Sequence, residues 1–331
     1  MTLTALRAEP RYMYIYMCDT TNDIAAAIDE AVAVAAQPKK LGRPPKGKKK
    51  KAPLVAPVGV VQAPEIADAL FEMHCDEPML FKKLFNVLKK YHVSEIELVI
   101  DQPGITIETA SNDGTVVIHA RVNAAHMARY FTTQPFRIWL SVNELVSKFD
   151  EVGSSHHMVK FMLCNATKGE TLHVILSESD CGTDTFHTVA CFKPAQLPTI
   201  AAMSDADYPL KFPVKHAHLK KKLTGTTKNQ VRGALIIQKI GTGHVQMSIE
   251  KDGKDGGATV YAKTETKSTM TAEDLLYVKI PTSALKGIFA QAIGPDVNIC
   301  AVDKFVSFTN YALGARDGVV MELKIYIPAI A

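Results

Sequence analysis

The chain repeats itself. "LFKKL" at 80–84 lies on "LKKKL" at 219–223 with an offset of 139, which puts Leu80, Lys82, Lys83 and Leu84 on Leu219, Lys221, Lys222 and Leu223. The same offset places Gly104 on Gly243 and the hairpin-turn dipeptide Asp113-Gly114 on Asp252-Gly253. One more residue of shift lays "SVNELVSKFDEVG" on "PTSALKGIFAQAIG", Leu145 on Leu285 and Phe149 on Phe289, and the copies close alike on "FKPA" and "YIPA". A tandem duplication with copies of about 130 residues follows, so the fold must be a unit that can be built twice and joined to itself.

Periodicity gives the content of each copy. After a first helix come "EIELVI", "ITIETA", "TVVIHARV" and "FRIWL", matched in the second copy by "ALIIQKI", "VQMSIEK", "ATVYAKT" and "LYVKI". A second helix follows, then "MVKFML", "TLHVIL" and "TFHTVACF", matched by "VNICAV", "FVSFTN" and "VVMELKIYI". The order is helix, strands, helix, strands, twice over. Short turns join the strands with no helix interposed for a parallel crossover, so the class is α+β with antiparallel sheets. The organisation read from this is an extension over 1–64, a first copy over 65–193, a connector over 194–208 and a second copy over 209–331.

With 331 residues and 47% apolar content, the chain can bury two sizeable cores, and no stretch has the length of a membrane-spanning helix. The six cysteines form no C-x-x-C pair, and acidic residues interrupt the N-terminal apolar stretch as they would not in a signal peptide, which predicts reduced thiols in an intracellular protein. Phosphate-loop, dinucleotide-binding and nucleophile-elbow motifs are all missing from the sequence. His156-His157 and His216/His218 come without Cys or carboxylates at ligand spacing, so neither a metal, a cofactor nor an enzymatic activity is expected.

Charge is where the sequence becomes specific. In the first helix, Leu80, Leu84, Val87, Leu88 and Tyr91 fall on one face, while Lys82, Lys83, Asn86, Lys89 and Lys90 fill the other. An ordinary solvated helix mixes signs, because like charges at i, i+4 are mildly destabilising. Eight of the chain's positive charges sit between Lys39 and Lys51 with no negative one; subtracting 8 from the formal net charge of +4 leaves the remainder at −4. A mildly acidic body with all-lysine helix faces points to a polyanion opposite those faces. The 1–64 extension, rich in Ala, Pro and Lys, cannot form a core of its own. Its "LGRPPK" tract (Gly42, Arg43, Pro44, Lys46) is similar to an AT-hook that enters the minor groove, and equally to a localisation signal or a nonspecific basic tail.

A duplicated helix-and-antiparallel-sheet chain with basic helices, "SDADYPLKFP" before the third helix and "MELKIYIPAI" at its end resembles the sliding clamps of the proliferating cell nuclear antigen family, over about residues 70–331. The resemblance implies a homotrimeric ring whose helices face duplex DNA without reading sequence, through Lys82, Lys83, Lys89, Lys90, Lys148, Lys215, Lys221, Lys222 and Lys286. It further implies a pocket for short peptides of DNA polymerases and other replication or repair proteins, lined by Leu197, Ile200 and Met203 of the connector with Pro295, Tyr326, Ile327, Pro328 and Ala329. A clamp loader is the other implied partner, and the nucleus or a viral replication factory the implied location. Ring closure is expected between edge strands at 170–178 and 257–264 of neighbouring chains. The alternatives are a monomeric or dimeric clamp-related DNA-binding processivity subunit, and a chromatin-type scaffold that acts through the basic tail.

Overall fold

A computed structural model describes residues 68–179, 182–193, 210–220, 233–240, 244–251, 254–255, 260–263, 276–285, 287–288, 291–302, 304–314 and 318–330. The first copy supplies β1 (Ala69–Cys75), α1 (Pro78–Lys90), β2 (Glu95–Asp101), β3 (Gly104–Ala110), β4 (Val117–Asn123), β5 (Arg129–Thr132), β6 (Phe136–Ser141), α2 (Val142–Phe149), β7 (His156–Cys164), β8 (Thr171–Glu178) and β9 (Asp184–Ala190). The second supplies β10 (Leu210–Lys215), β11 (Gly233–Ile240), β12 (His244–Lys251), β13 (Lys254–Asp255), β14 (Val260–Lys263), β15 (Tyr277–Pro281), β16 (Asp296–Val302), β17 (Phe305–Gly314) and β18 (Gly318–Pro328). Residues 216–220 are helical, and a 3-10 turn runs over Thr282–Leu285. The fold is α+β and duplicated, as the periodicity indicates. Each copy, however, opens with a strand, β1 or β10, ahead of its first helix, and the first copy holds an additional short strand, β5.

The strands form three antiparallel sheets. Sheet A has the order β5-β1-β7-β8-β9, sheet B the order β10-β16-β17-β18-β4-β3-β2-β6, and sheet C the order β13-β12-β11-β15 with β14 also paired to β12. Sheet B therefore belongs to both copies, joined where β18 pairs with β4 from Met321↔Val122 to Tyr326↔Val117. Alternation decides the faces. Met321, Leu323, Ile325 and Ile327 of β18 are buried in the core, whereas Glu322 and Lys324 between them pair with each other at 2.9 Å on the opposite face.

Both helices pack on the inner face of sheet A. The chain can start α1 at Pro78 because the first turn needs no N–H from that residue, and its burial stripe runs Leu80, Phe81, Leu84, Phe85, Val87, Leu88. Phe81 and Phe85 widen the stripe beyond a narrow seam. They meet Phe149 of α2 and Phe161 of β7, with Phe81–Phe161 and Phe85–Phe149 ring centroids both 5.0 Å apart.

A side-chain lock reinforces the joint between the copies. The phenol of Tyr91, just past α1, donates to the Ala284 carbonyl at 2.8 Å and accepts from the Ile288 N–H at 3.2 Å. Burial pushes this phenol above its ordinary range, which favours the protonated form that donates. Gly287 lies against the Tyr91 ring so closely that a Cβ there would collide with it. Tyr91→Phe leaves both backbone groups without their partner and should cost roughly 1–3 kcal/mol. Gly287→Ala, which forces the ring out, should cost at least as much, and thermal unfolding of the two variants against the parent chain checks both.

Candidate nucleic-acid interface

The positive face belongs to α1. On the side opposite its core stripe lie Lys83 and Asn86, both half-buried, and Lys89 and Lys90, both exposed. Lys89 and Lys90 occupy the last turn, where the helix dipole favours cations. None of the ion pairs among the described residues involves Lys83, Lys89 or Lys90, so the charge of this face is not neutralised by described acidic groups. The neighbouring helix α2 is mixed. Its Lys148 is half-buried in a helix that also carries Glu144 and is followed by exposed Asp150 and Glu151.

Lys82 is placed differently from its neighbours. Its ammonium donates to the carbonyls of Asp150 at 2.8 Å and Val152 at 2.7 Å, so it ties the chain leaving α2 to α1. Lys82, expected to face DNA with Lys83, Lys89 and Lys90, thus already has two backbone carbonyls as partners. Lys82→Ala should therefore lower stability by about 1 kcal/mol, whereas Lys89→Ala should stay within about 0.5 kcal/mol of the parent in urea or guanidinium unfolding.

The second copy describes less of its basic helix. Leu219 is buried and His218 and Lys220 are exposed, while Lys221, Lys222 and Lys286 lie outside the described residues. The His216 ring is held below the usual imidazole range first by burial and also by Lys220; its contact with the Ile288 carbonyl works in the opposite sense. Lys215 is a correction. It ends strand β10 rather than beginning the helix, and it alternates with the buried Phe212 and Val214, which puts it on the face away from the core. There it pairs with Asp296 at 2.8 Å. "LKFPVK" alternates cleanly, and that period of two is the signal for a strand.

The expected peptide pocket is divided in a similar way. Leu197, Ile200 and Met203 lie outside the described residues, as do Gly42, Arg43, Pro44 and Lys46. Tyr326 and Ile327 are buried, Pro328 is exposed and Ala329 half-buried; Tyr326 meets Phe305 edge-on at 6.2 Å. The tail continues as backbone pairing, Ala329 N–H to the Lys304 carbonyl and Ile330 N–H to the Lys279 carbonyl, both 2.8 Å. Exposed Tyr277 of the edge strand β15 and exposed Ile330 extend the apolar surface there, and the sequence reading missed both. Pro295 does not belong with them. It precedes Asp296 at one end of β16, whereas Pro328 pairs with Phe305, which pairs with Val302 at the other end. The six residues between correspond to about 20 Å of strand.

The edges also differ from expectation. The segment 170–178 contains β8, which is flanked by β7 and β9 and so is not an edge; β9 is. The Cys191 N–H donates to Glu170 O, and Thr183 O accepts from the Glu178 N–H, so odd-numbered residues of β9 turn their backbone groups toward β8. Those of Phe186, Thr188 and Ala190 consequently point outward. At 257–264 the structure does have a strand, β14, and its pairing among the described residues is with β12.

No protein-family model matches the sequence. Curated relatives include an uncharacterized protein of African swine fever virus, from the isolates Tick/Malawi/Lil 20-1/1983 and Pig/Kenya/KEN-50/1950. Each is 24% identical over 209 residues, 60% of this chain and 67% of theirs. Among solved structures, the proliferating cellular nuclear antigen of Entamoeba histolytica superposes with a TM-score of 0.64 at 9% identity, over 80% of this chain and 100% of that one. The PCNA2–PCNA3 complex of Sulfolobus tokodaii gives 0.63 at 10% identity, over 78% and 98%. With its duplicated copies, shared sheet and inner helices, the chain has the clamp fold of the proliferating cell nuclear antigens.

Proposed function

We propose that this protein is a DNA sliding clamp, a processivity factor that closes as a ring of three chains around duplex DNA and tethers DNA polymerase and other replication or repair enzymes to it. The observation that carries this reading is the lysine face of α1, Lys83, Lys89 and Lys90, set on the clamp fold. Lysine is a flexible point charge that meets phosphates without the planar, bidentate fit arginine uses to read base edges. Contacts of that kind hold DNA and still let it slide. Lys148, Lys221, Lys222 and Lys286 belong to the same reading, and the chemistry asked of the body is mechanical rather than catalytic.

Closure follows from the repeat. Within the chain, the last strand of the second copy, β18, pairs with the third of the strands β2–β4 of the first, with Glu322 opposite Arg121. The counterpart of β18 in the first copy is β9, with Thr188 at the place of Glu322 (322 − 188 = 134, the offset that lays "FKPA" on "YIPA"). The counterpart of β4 in the second copy is β14. Ile105↔Val122 corresponds to Val245↔Ala262, an offset of 140, which places Tyr261 where Arg121 stands. Between chains, β9 then pairs antiparallel with β14 of a neighbour, Thr188 opposite Tyr261, and the edges that would otherwise remain open are covered.

The connector supports the peptide-tethering part of the reading. The connector, 194–208, and Pro209 together make 16 residues between Lys193, which follows Phe192 bridged to Trp139 of edge strand β6, and Leu210 in edge strand β10. Those edges are seven strand spacings apart, about 34 Å, and 16 extended residues reach about 50 Å, so the connector has the length to cross the outer face of sheet B. Ser307 and Thr309 on that face are 2% and 4% exposed, and Ser307 pairs with Tyr326. Peptides with one aliphatic and two aromatic anchors should bind there, and Ile200→Glu should abolish their binding in a titration while leaving the oligomer mass unchanged.

The ring is tested by trapping. Thr188→Cys and Tyr261→Cys in one chain, mixed with closed circular DNA and oxidised, should give covalent trimers that survive high salt and are released when the DNA is linearised. Reversing Lys83, Lys89 and Lys90 to glutamate should reduce the amount trapped and flatten the salt dependence before oxidation by about 0.9 in slope for each phosphate no longer neutralised. Monomers after oxidation, or no release on linearisation, would leave the monomeric or dimeric DNA-binding subunit as the better reading. The nucleus or a viral replication factory is the compartment this role requires.

A further inference from the structure

The edge strand β9 has a thin apolar anchor. Its inward positions are Thr185, His187 and Val189, opposite Leu176, Val174 and Leu172 of β8, all three of which are fully buried. Val189 is buried as they are, but Thr185 is half-buried, and the middle position is taken by a histidine. A strand held by a ladder on one side and one buried apolar side chain opens with little resistance, because few apolar contacts have to be broken.

Polar contacts supply the rest. The Nε2 of His187 meets the carboxylate of Glu151, which belongs to the chain leaving α2. Both neighbours of Glu151 are fixed. Val152 is buried with its N–H on the Phe149 carbonyl at 3.1 Å, and Lys82 of α1 donates to the carbonyls of Asp150 and Val152, one on each side of Glu151. The carboxylate is therefore presented from a braced segment. The side chain of His187 is 16% exposed and that of Glu151 45%, so water reaches the pair mainly from the carboxylate side. On the other face of the sheet, Asp184 at the start of β9 pairs with Lys160 of β7 at 3.6 Å.

We infer that His187 and Glu151 are positioning residues for ring closure: their pair holds the middle of β9 in place, so that the backbone groups of Phe186 and Thr188 stand ready for the neighbour's strand. This rests on the ring proposed above. The outward backbone groups belong to residues 186 and 188 and the fastened side chain to the residue between them, so fastening and presentation coincide. A strand already in its paired conformation loses less freedom when the neighbour arrives, which favours association. Lys82 acts one step further back, through the two carbonyls it holds, and so joins α1 to the closing edge.

The test uses the full chain, with His187→Ala, Glu151→Ala and the exchanged pair Glu151→His with His187→Glu. Either single change should speed amide hydrogen exchange at Thr185 and Val189 about fivefold and leave Phe161, in the interior strand β7, as it was. The exchanged pair should restore the parent rates, which loss of side-chain bulk alone would not explain. Should His187→Ala loosen Phe161 as well, Glu151→Ala decides, since Glu151 is exposed. Unchanged rates at Thr185 and Val189 in Glu151→Ala overturn the fastening. In chains that also carry Thr188→Cys and Tyr261→Cys, each single change should lower the yield of covalent trimer about fivefold, and the exchanged pair should recover it. Parental yield from both single variants overturns the positioning role and leaves the ring standing, whereas no trimer from the parent cysteine chain overturns the ring and the positioning role with it.

Discussion

The backbone ladder between β4 and β18 is the interaction on which this structure depends. It is the place where one copy stops being a separate body and becomes part of an eight-stranded sheet shared with the other. A ladder suits the purpose because it is made of groups every residue carries, and buried backbone donors and acceptors left unpaired are costly. The pairing also fixes register, since a slip by one residue would turn Leu323 and Ile325 out of the core and bring Glu322 and Lys324 into it. Everything proposed about assembly extends this one rule, that the last strand of a copy adds to the third sheet-building strand of another.

The helices contribute a different kind of order. Their apolar stripes close over sheet A through a cluster of four phenylalanines, and this leaves the lysines of α1 on the opposite side. Lys82 shows that the two roles overlap, because one lysine of the face is spent on the carbonyls that follow α2. Charge on a helix face is thus a resource shared between holding the fold and presenting a field.

Faces were legible in the sequence and neighbours were not. The alternation in "EIELVI" or "VVMELKIYI" encodes which side of a strand is buried, and the structure agrees. Alternation marks the faces of a strand but not its place in the sheet, which is why β8 stood in for β9 although the two are consecutive in the chain. Lys215 reads as helical because "KHAHLKKKL" runs continuously as one helix, although Pro213 and the alternating Phe212 and Val214 mark a strand up to that point. Pro295 and Tyr326 are both apolar and close to strand ends, but only the pairing of β16 through β18 shows that the ends are opposite ones. The strands β1 and β5 escaped because one runs almost directly into a helix and the other is four residues long.

The lock formed by Tyr91 and Gly287 has no twin. Carrying Tyr91 forward by the first repeat offset of 139 reaches Gln230, and carrying Gly287 back by 140 reaches Ser147. Duplication copied the sheet joint but not the phenol that bolts it, so in the proposed ring the seams inside each chain are doubly fastened and those between chains only once. A force that pries such a ring apart meets its weakest line between chains, where a gap can open and close again while every chain stays whole.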